Sequence, residues 1–350
     1  MNILIVKLSS LGDVLHNLPI VWDIRARYPD AHIDWVVEEG YVELLTPLLS
    51  SNLSGNSGEF AKFGGINRII PIGLRRWKKN LKRGEFVQSI QEFMAFKANL
   101  QKVSYDMVIE TQGIIKSAFV TRLANRTPNA SIVGLANRTD YSGYEPLARR
   151  FYTECVQVPN QCHAVDRSRW VTAAAMDQPI PDRDANAPYF YPVDFVQSLE
   201  QLPNPLGLVP GSYALCFHAT ARKAKCWDAD SWIGLGKHLS TLGITVVFPW
   251  GNPAEKKISE ELSAKVPGSI VPKAFSVQQA FALIAQAKLT IGVDTGLTHL
   301  AAVLGQPTVE LYIDSPKWKT EGYWQPQIIN LGDMQTPPKL VDVISSLPAI

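Results

Sequence analysis

Residues 289–309, LTIGVDTGLTHLAAVLGQPTV, constrain the fold most strongly. The stretch opens on an apolar run of strand length and turns polar at Asp294, Thr295 and Gly296. Apolar positions then resume at Leu297, Leu300, Ala301 and Leu304, the spacing of a helix that Gly305 and Pro307 close. A strand feeding a helix through Asp-Thr-Gly leaves backbone N–H groups free at the positive end of the helix dipole. That geometry suits an anion such as a phosphate. A plain strand–turn–helix with a capped first turn reads the same way, so the other turns must decide.

The pattern recurs along the chain. Asn2–Val6 is an all-apolar run of the kind buried on both faces of a parallel sheet. The turn 7–13 follows, then a helical spacing from Val14 in which Pro19 sits early or makes a kink. His32–Glu38 is the next strand, so a βαβ unit opens the chain and a doubly wound sheet is expected. Arg68–Ile72 and Tyr105–Glu110 are further strands, separated by a helix over about 84–101. The turn 112–117 leads into a helix expected to end near Arg126, Thr127 and Pro128, with a strand over 131–135. Residues 144–158 and a helix over 163–175 close this half. The second half predicts strands over 213–218 and 244–249, strand character at Val271, and helices over 227–242, 253–266 and 276–287.

Seven prolines between residues 176 and 210 predict an extended, stiffened connection. The expected organisation is therefore α/β, with an N-terminal Rossmann-like domain over 1–178, a connection over 179–210 and a C-terminal Rossmann-like domain over 211–350. Ligands of such sheets bind at the carboxyl ends of the strands, and every polar turn named above falls at one. A cleft between the two domains is the expected site.

Composition narrows the class. A chain of 350 residues is long for one core, and 46% hydrophobic with 19% charged is globular. A net charge of +2 speaks against nucleic acid as a partner. The four cysteines have no CxxC spacing and suit a reducing, cytoplasmic compartment. No segment approaches the roughly 18 apolar residues of a spanning helix. Residues 50–65 are rich in Ser, Gly and Asn without apolar period and read as a surface excursion. One basic run stands out: Arg75, Arg76, Lys78, Lys79, Lys82 and Arg83 around Trp77, six cations in nine residues. It reads either as a solvated helix face or as a site for an anionic substrate or lipid headgroups.

Candidate chemistry lies in the turns. Asp13, beside Ser9, Ser10 and Gly12, is either a helix cap or a carboxylate able to take a proton from an attacking hydroxyl. Glu38, Glu39 and Glu110 are rival carboxylates at strand ends. Lys225 is either a surface lysine or an ammonium placed to neutralise a diphosphate leaving group. Glu255 can accept hydrogen bonds from a ribose or favour the first turn of its own helix. His299 is expected to face whatever the Asp-Thr-Gly turn binds. The six histidines show no HxxxH spacing, and no metal site is expected. GxGxxG, GxxxxGK[ST] and GxSxG are all missing, which speaks against dinucleotide-binding, ATPase and hydrolase readings.

Taken together, IVKLSSLGDVLHNLP, DWVVEEG, LRRWKK, ETQGIIKSA, EPLARRFY, CHAVDRSR, FPWGNPAE and VDTGLTHLAA resemble, in order and over nearly the whole chain, the lipopolysaccharide heptosyltransferases of glycosyltransferase family 9. The likeness is greatest to the heptosyltransferase I branch. It implies a GT-B fold and inverting transfer from ADP-heptose to the Kdo of Kdo-lipid A in inner-core synthesis, with no metal or cofactor. It also implies a peripheral place on the cytoplasmic face of the inner membrane, against an anionic surface. By position, Asp13 matches the catalytic base, with Ser9 and Ser10 beside it. Lys225 matches the diphosphate-binding lysine and Glu255 the ribose-binding acid. Asp294, Thr295, Gly296 and His299 match the donor loop, which places Asp294 near the sugar and His299 near the phosphates. Thr220 and Ala221 stand where two threonines usually line the donor, so the second is missing. Arg75, Arg76, Lys78 and Lys79 match the segment taken to hold acceptor phosphates and Kdo carboxylates. Further departures are Tyr144 in place of an acceptor-side arginine, Phe275 in place of a methionine near the adenine, residues 312–316 in place of YGPT, and the 50–65 insertion. The alternatives are a heptosyltransferase II-type enzyme and a non-catalytic nucleotide-binding module.

Overall fold

The computed structural model describes residues 1–50, 65–182, 190–323 and 327–348. The expected excursion at 50–65 thus lies almost wholly outside the described residues. The chain divides into two compact units, Met1–Arg183 with Ala187–Pro192 and Asp184–Asn186 with Val193–Ile350.

The first unit is built on six parallel strands: β1 (Asn2–Val6), β2 (His32–Glu38), β3 (Arg68–Ile72), β4 (Tyr105–Glu110), β5 (Arg126–Leu135) and β6 (Glu154–Val156). Their order is β3-β2-β1-β4-β5-β6, the doubly wound arrangement that an all-apolar first strand anticipates. Ile5 lies beside Trp35 on one side and Ile109 on the other, and all three are fully buried. Helices α1 (Leu11–Leu15) and α2 (Pro19–Arg27) follow β1, and a single turn, α3 (Val42–Leu45), follows β2. Next come α4 (Leu74–Lys82), α5 (Phe86–Leu100), α6 (Ile115–Leu123) and α7 (Ala164–Ala175). Pro19 starts a new helix rather than kinking the first, since its fixed φ and missing N–H cost nothing at that position. One face of the sheet packs Trp77, Phe96, Leu100, Ala118 and Val120 from α4, α5 and α6. Buried Arg169 of α7 forks onto Asp23 of α2 at 2.7 and 2.9 Å.

Residues 126–128 depart from expectation, because they form the start of β5 and not the end of a helix. Arg126 pairs with Tyr105, and the register then shifts to Ser131 opposite Met107. The preceding helix stops at Leu123, and Ala124 after it is extended.

The second unit holds β7 (Tyr213–Phe217), β8 (Thr245–Val247), β9 (Leu289–Val293), β10 (Thr308–Tyr312) and β11 (Ile328–Gly332), all parallel, in the order β11-β10-β9-β7-β8. Ile270 bridges to Val247 beyond β8, close to the strand character expected at Val271. Its helices are α8 (Val193–Glu200), α9 (Ala229–Thr241), α10 (Pro253–Ser263), α11 (Val277–Ala285), α12 (Gly296–Val303) and α13 (Leu340–Ser346). Trp227, Trp232, Leu235 and Leu239 pack with Val246, Ile291 and Val309 into one core.

Helix α8 falls where an extended connection is expected. The prolines at 192 and 203 flank a proline-free run of ten residues, long enough for two helical turns. Tertiary contacts then fix it. Phe195 meets Phe281 edge-on at 5.3 Å, and the Gln286 side-chain amide donates to the carbonyls of Leu199 and Leu202 at 3.0 and 2.7 Å.

Candidate functional site

Strand order locates one crevice in each unit. From β1 the chain passes outward to β2 and β3, whereas β4 leads the other way to β5 and β6. The second sheet reverses in the same manner between β7 and β9. Loops at such a switch point splay apart and leave room for a ligand. The loops after β1 and β4 carry Lys7 to Asp13 and Thr111 to Ile114, and those after β7 and β9 carry His218 to Cys226 and Asp294 to Thr295.

In the first unit, Asp13 is exposed in the first turn of α1 while its carboxylate is fixed. The Ser10 backbone N–H and hydroxyl both donate to its Oδ2, at 2.8 and 2.7 Å. Surrounding protein opposes its ionisation, but the Lys7 ammonium, the two Ser10 hydrogen bonds and His16 outweigh that and hold the pKa at about 2. Lys7 is buried and donates to the Thr111 carbonyl at 3.3 Å. Gln112 joins the two loops: its Oε1 accepts from Leu8 N–H at 2.8 Å and its Nε2 donates to Ser9 Oγ at 3.4 Å. Buried Arg167 donates to the carbonyls of Thr111, Gln112 and Gly143 at 3.2, 3.2 and 3.3 Å. Burial lowers its pKa against the opposing fields of Asp13 and Glu110.

The three rival carboxylates are committed elsewhere. Glu110 is fully buried and accepts from the N–H groups of Gln112 and Gly113 and from the Tyr152 hydroxyl. Glu38 is buried and accepts from Arg75 N–H at 2.9 Å. Glu39 is exposed but paired with Arg76 at 2.8 Å. Tyr144 donates to the Ala136 carbonyl at 2.7 Å.

The basic run forms α4, which starts at the carboxyl end of edge strand β3. Arg76 lies between Glu39 and Glu92, and the Arg75 guanidinium bonds the Tyr41 hydroxyl at 2.8 Å and covers its ring. Lys78 and Lys79 are exposed. The six cations are thus not equivalent: the Arg76 charge is largely neutralised within the fold.

In the second unit the Asp-Thr-Gly turn joins β9 to α12. Thr295 is the extended N-cap and its side chain makes no capping bond, which leaves the first-turn N–H groups open. Asp294 is buried and ringed by donors. Lys225 Nζ pairs with its Oδ2, while His299 Nε2 and Thr320 Oγ1 lie 2.9 and 3.3 Å from its Oδ1. Burial raises its pKa, but the His299 and Lys225 contacts overcome this and hold it well below the usual carboxylate range. Thr220 Oγ1 donates to the Asp294 carbonyl at 3.3 Å, and Ala221 is exposed in the same loop.

His299 does not face outward as expected. The ring is buried, with Nδ1 3.1 Å from Glu310 Oε1 and Nε2 on Asp294. Burial disfavours its charge, but the Glu310 field and the bonds to both carboxylates raise its pKa to about 10. It is a buried cation that orients Asp294. Glu255 closes its own loop, its Oε2 accepting from Gly251 N–H at 2.7 Å and its Oε1 from Asn252 Nδ2 at 2.6 Å. Phe275 is half-buried in the segment before α11.

Sequence reasoning missed Gln112, Arg167, Glu310 and Thr320. Glu310 carries a signal that was there to be used: a carboxylate inside TVELY, a strand buried on both faces, must have a cationic or hydrogen-bonding partner. Gln112 lies in the turn after β4, but only tertiary structure shows that it ties this turn to the loop after β1, and only tertiary structure brings Arg167 and Thr320 to the loops.

Known proteins share both sequence and fold with this chain. Residues 93–347 match the family model described as glycosyltransferase family 9 (heptosyltransferase). Lipopolysaccharide heptosyltransferase 1 of Pseudomonas aeruginosa is 34% identical over 343 residues, covering 97% of this chain and 86% of its own. The protein of that name from Escherichia coli K12 is 33% identical over 332 residues, covering 94% and 93%. The solved structure of E. coli heptosyltransferase WaaC with ADP superposes with a TM-score of 0.78 at 30% identity, over 99% of this chain and 98% of that one. WaaC with ADP-2-deoxy-2-fluoro heptose gives 0.72 at 31%, with the same coverage. These likenesses establish the GT-B fold class and a glycosyltransferase, and the chain belongs to glycosyltransferase family 9, the heptosyltransferases.

Proposed function

We propose that the protein moves L-glycero-D-manno-heptose from ADP-heptose to the Kdo of Kdo-lipid A with inversion, using Asp13 as general base. One observation carries the assignment of the base. Of four carboxylates at strand ends in the first unit, Asp13 alone is exposed, ionised and held in one orientation without a directly paired cation. The donor is supported by the structures of WaaC with ADP and with ADP-2-deoxy-2-fluoro heptose. Heptosyltransferase 1 relatives named for lipopolysaccharide support an acceptor of that class, and the Kdo of Kdo-lipid A is what the resemblance of the motifs implies.

In this reading the acceptor hydroxyl oxygen bonds to the anomeric carbon as the bond from that carbon to the diphosphate oxygen breaks. One displacement inverts the centre, ADP leaves with the electron pair, and Asp13 takes the hydroxyl proton. A carboxylate with a pKa of about 2 is a weak base for a resting alcohol. It becomes competent once the new C–O bond has made that oxygen strongly acidic, so proton transfer is late. The Lys225 ammonium and the first-turn N–H groups at Gly296 and Leu297 stabilise departing ADP. Thr220, Glu255 and Phe275 line the donor. Ser9 and Ser10 fix the base, and Arg75, Lys78 and Lys79 meet acceptor phosphates and carboxylates. Arg76, held between two glutamates, contributes least.

Incubation with ADP-heptose and heptoseless Kdo-lipid A tests the reading. A single-heptose product supports it. Product only on an already heptosylated acceptor assigns the second transfer, and ADP binding without product leaves a nucleotide-binding module.

A further inference from the structure

The crevice of the second unit is bridged by an ion pair to which the reaction gives no part. Because β9 lies between β10 and β7, the loops after those two strands flank the Asp-Thr-Gly turn from either side. Both reach it: Thr220 Oγ1 donates to the Asp294 carbonyl and Thr320 Oγ1 to the Asp294 Oδ1, each at 3.3 Å. The same two loops also meet each other directly. The Arg222 guanidinium, after β7, pairs with the Asp314 carboxylate, after β10, and its Nη2 donates to the Asp314 carbonyl at 3.4 Å. A bond between those loops crosses the carboxyl end of β9, where the first-turn N–H groups of α12 open. The two ion pairs of this crevice differ in exposure. Lys225 and Asp294 are 18 and 7% exposed, whereas Arg222 and Asp314 are 58 and 37% exposed. A pair so exposed is weak and opens at little cost to the fold. Among the described residues, the Arg222 bonds run through one terminal nitrogen, so Nε and Nη1 keep their N–H groups for another acceptor. Phosphate oxygens suit such a fork. Asp314 also lies in the stretch 312–316 that departs from YGPT, a sequence with no carboxylate to offer.

We propose that Asp314 competes with the donor's diphosphate for Arg222. In the free enzyme the Asp314 carboxylate holds the guanidinium across the Asp-Thr-Gly turn. The incoming diphosphate, more highly charged than one carboxylate, takes the guanidinium over, and Asp314 reclaims it when the nucleotide leaves. Arg222 is thus a second cation for the diphosphate beside Lys225, and Asp314 sets how tightly the nucleotide is kept. Charge selects this ligand: a neutral group offers Arg222 nothing better than the carboxylate it already has, whereas a diphosphate does. The proposal rests on the functional reading in taking a nucleoside diphosphate as the ligand of this crevice.

The test is calorimetric titration of the full chain with ADP, for the parent, Asp314→Asn, Arg222→Gln and the double variant. Removing the competitor should lower the ADP Kd about two- to fivefold, the range an exposed ion pair can supply. Arg222→Gln should raise Kd, and by more when Asp314→Asn is already present, since the parent arginine must first leave its carboxylate. The two substitutions are therefore expected to be coupled by about twofold or more. Glu261→Gln, which removes an exposed carboxylate of α10 that pairs with Lys257, is the control and leaves Kd unchanged. Unaltered thermal unfolding shows that the variants remain folded. An ADP Kd that Asp314→Asn leaves unchanged or raises overturns the proposal. A gain of the same size in the parent and in Arg222→Gln overturns it too, as the mark of plain repulsion between Asp314 and the diphosphate. An equal gain from Glu261→Gln does the same, as an effect of overall charge. A parent that binds ADP without responding to Asp314→Asn overturns this proposal alone, whereas a parent that binds no ADP overturns the functional reading as well.

Discussion

The buried cation at His299 can be tested without any substrate. Its ring lies between Asp294 and Glu310, with Thr320 sharing Asp294 Oδ1, Lys225 on Asp294 Oδ2 and the Tyr312 hydroxyl donating to Glu310 Oε2 at 2.6 Å. Glu310→Gln removes one of the two carboxylates while keeping the shape of the site. A unit charge about 4 Å away at an effective dielectric constant near 20 is worth about 4 kcal/mol, and each pH unit of titration midpoint corresponds to about 1.4 kcal/mol. The substitution should therefore lower the His299 midpoint, about 10 in the parent, by about three pH units. The sign of the stability effect follows from the raised value. A histidine protonated more tightly in the folded than in the unfolded state stabilises the fold fully below the unfolded value of 6.5, and that contribution is lost as pH rises through about 10. Glu310→Gln should thus flatten the decline in stability between pH 7 and 10 and cost about 3–5 kcal/mol near neutral pH, as expected when a buried pair loses one partner. Titration of histidine labelled at Cε1, with His299→Asn assigning the resonance, reads the midpoint directly. A parent whose six histidines all titrate below pH 8 would refute the reasoning.

Asp13→Asn should lower kcat by about a hundred- to ten-thousandfold while leaving ADP affinity near that of the parent, measured by single-turnover transfer and calorimetry. Because the Asp13 pKa is depressed to about 2, the base form persists down to mildly acidic pH, and an acid limb of kcat near pH 6 must belong to another group. Lys225→Ala leaves buried Asp294 without its ammonium and should weaken ADP binding about tenfold to a hundredfold; an unchanged Kd counts against a role at the diphosphate. Gly292→Ala would set a Cβ 2.0 Å from Thr298 Oγ1 and 3.0 Å from Phe217 Cβ, beneath the Asp-Thr-Gly turn. Overpacking of that kind should destabilise by about 1–3 kcal/mol in chemical denaturation, and an unaltered midpoint would show that the turn can yield.

Local pattern carried most of the fold because strands and their following turns are written in consecutive residues. Asn2–Val6, His32–Glu38, Arg68–Ile72 and Tyr105–Glu110 fall on their expected bounds. Each contains a short apolar run, and no distant residue is needed to see it. The errors fall where a distant partner decides the outcome. Arg126 is a strand residue because Tyr105 lies beside it, and residues 193–200 coil because Phe281 and Gln286 hold them. The site divides along the same line. Carboxylates at strand ends are legible as candidates because strand ends are legible, and four such candidates in the first unit looked alike. They differ in what reaches them. Glu110 meets Tyr152, 42 residues away, Glu38 meets the backbone of Arg75, 37 residues away, and Asp13 takes its hydrogen bonds, among the described residues, from Ser10 of its own turn. The free carboxylate is thus the one whose hydrogen bonds are local, and the same contrast separates the second unit's residues. Glu255 is satisfied within its loop, whereas Asp294 depends on Lys225, 69 residues before it, and on a histidine kept charged by Glu310 in the next strand. His299 was misread for this reason. A histidine in the first turn of a helix faces the ligand only if nothing buried claims both its nitrogens, and the claimant, Glu310, is visible as an unpaired charge in an otherwise apolar strand.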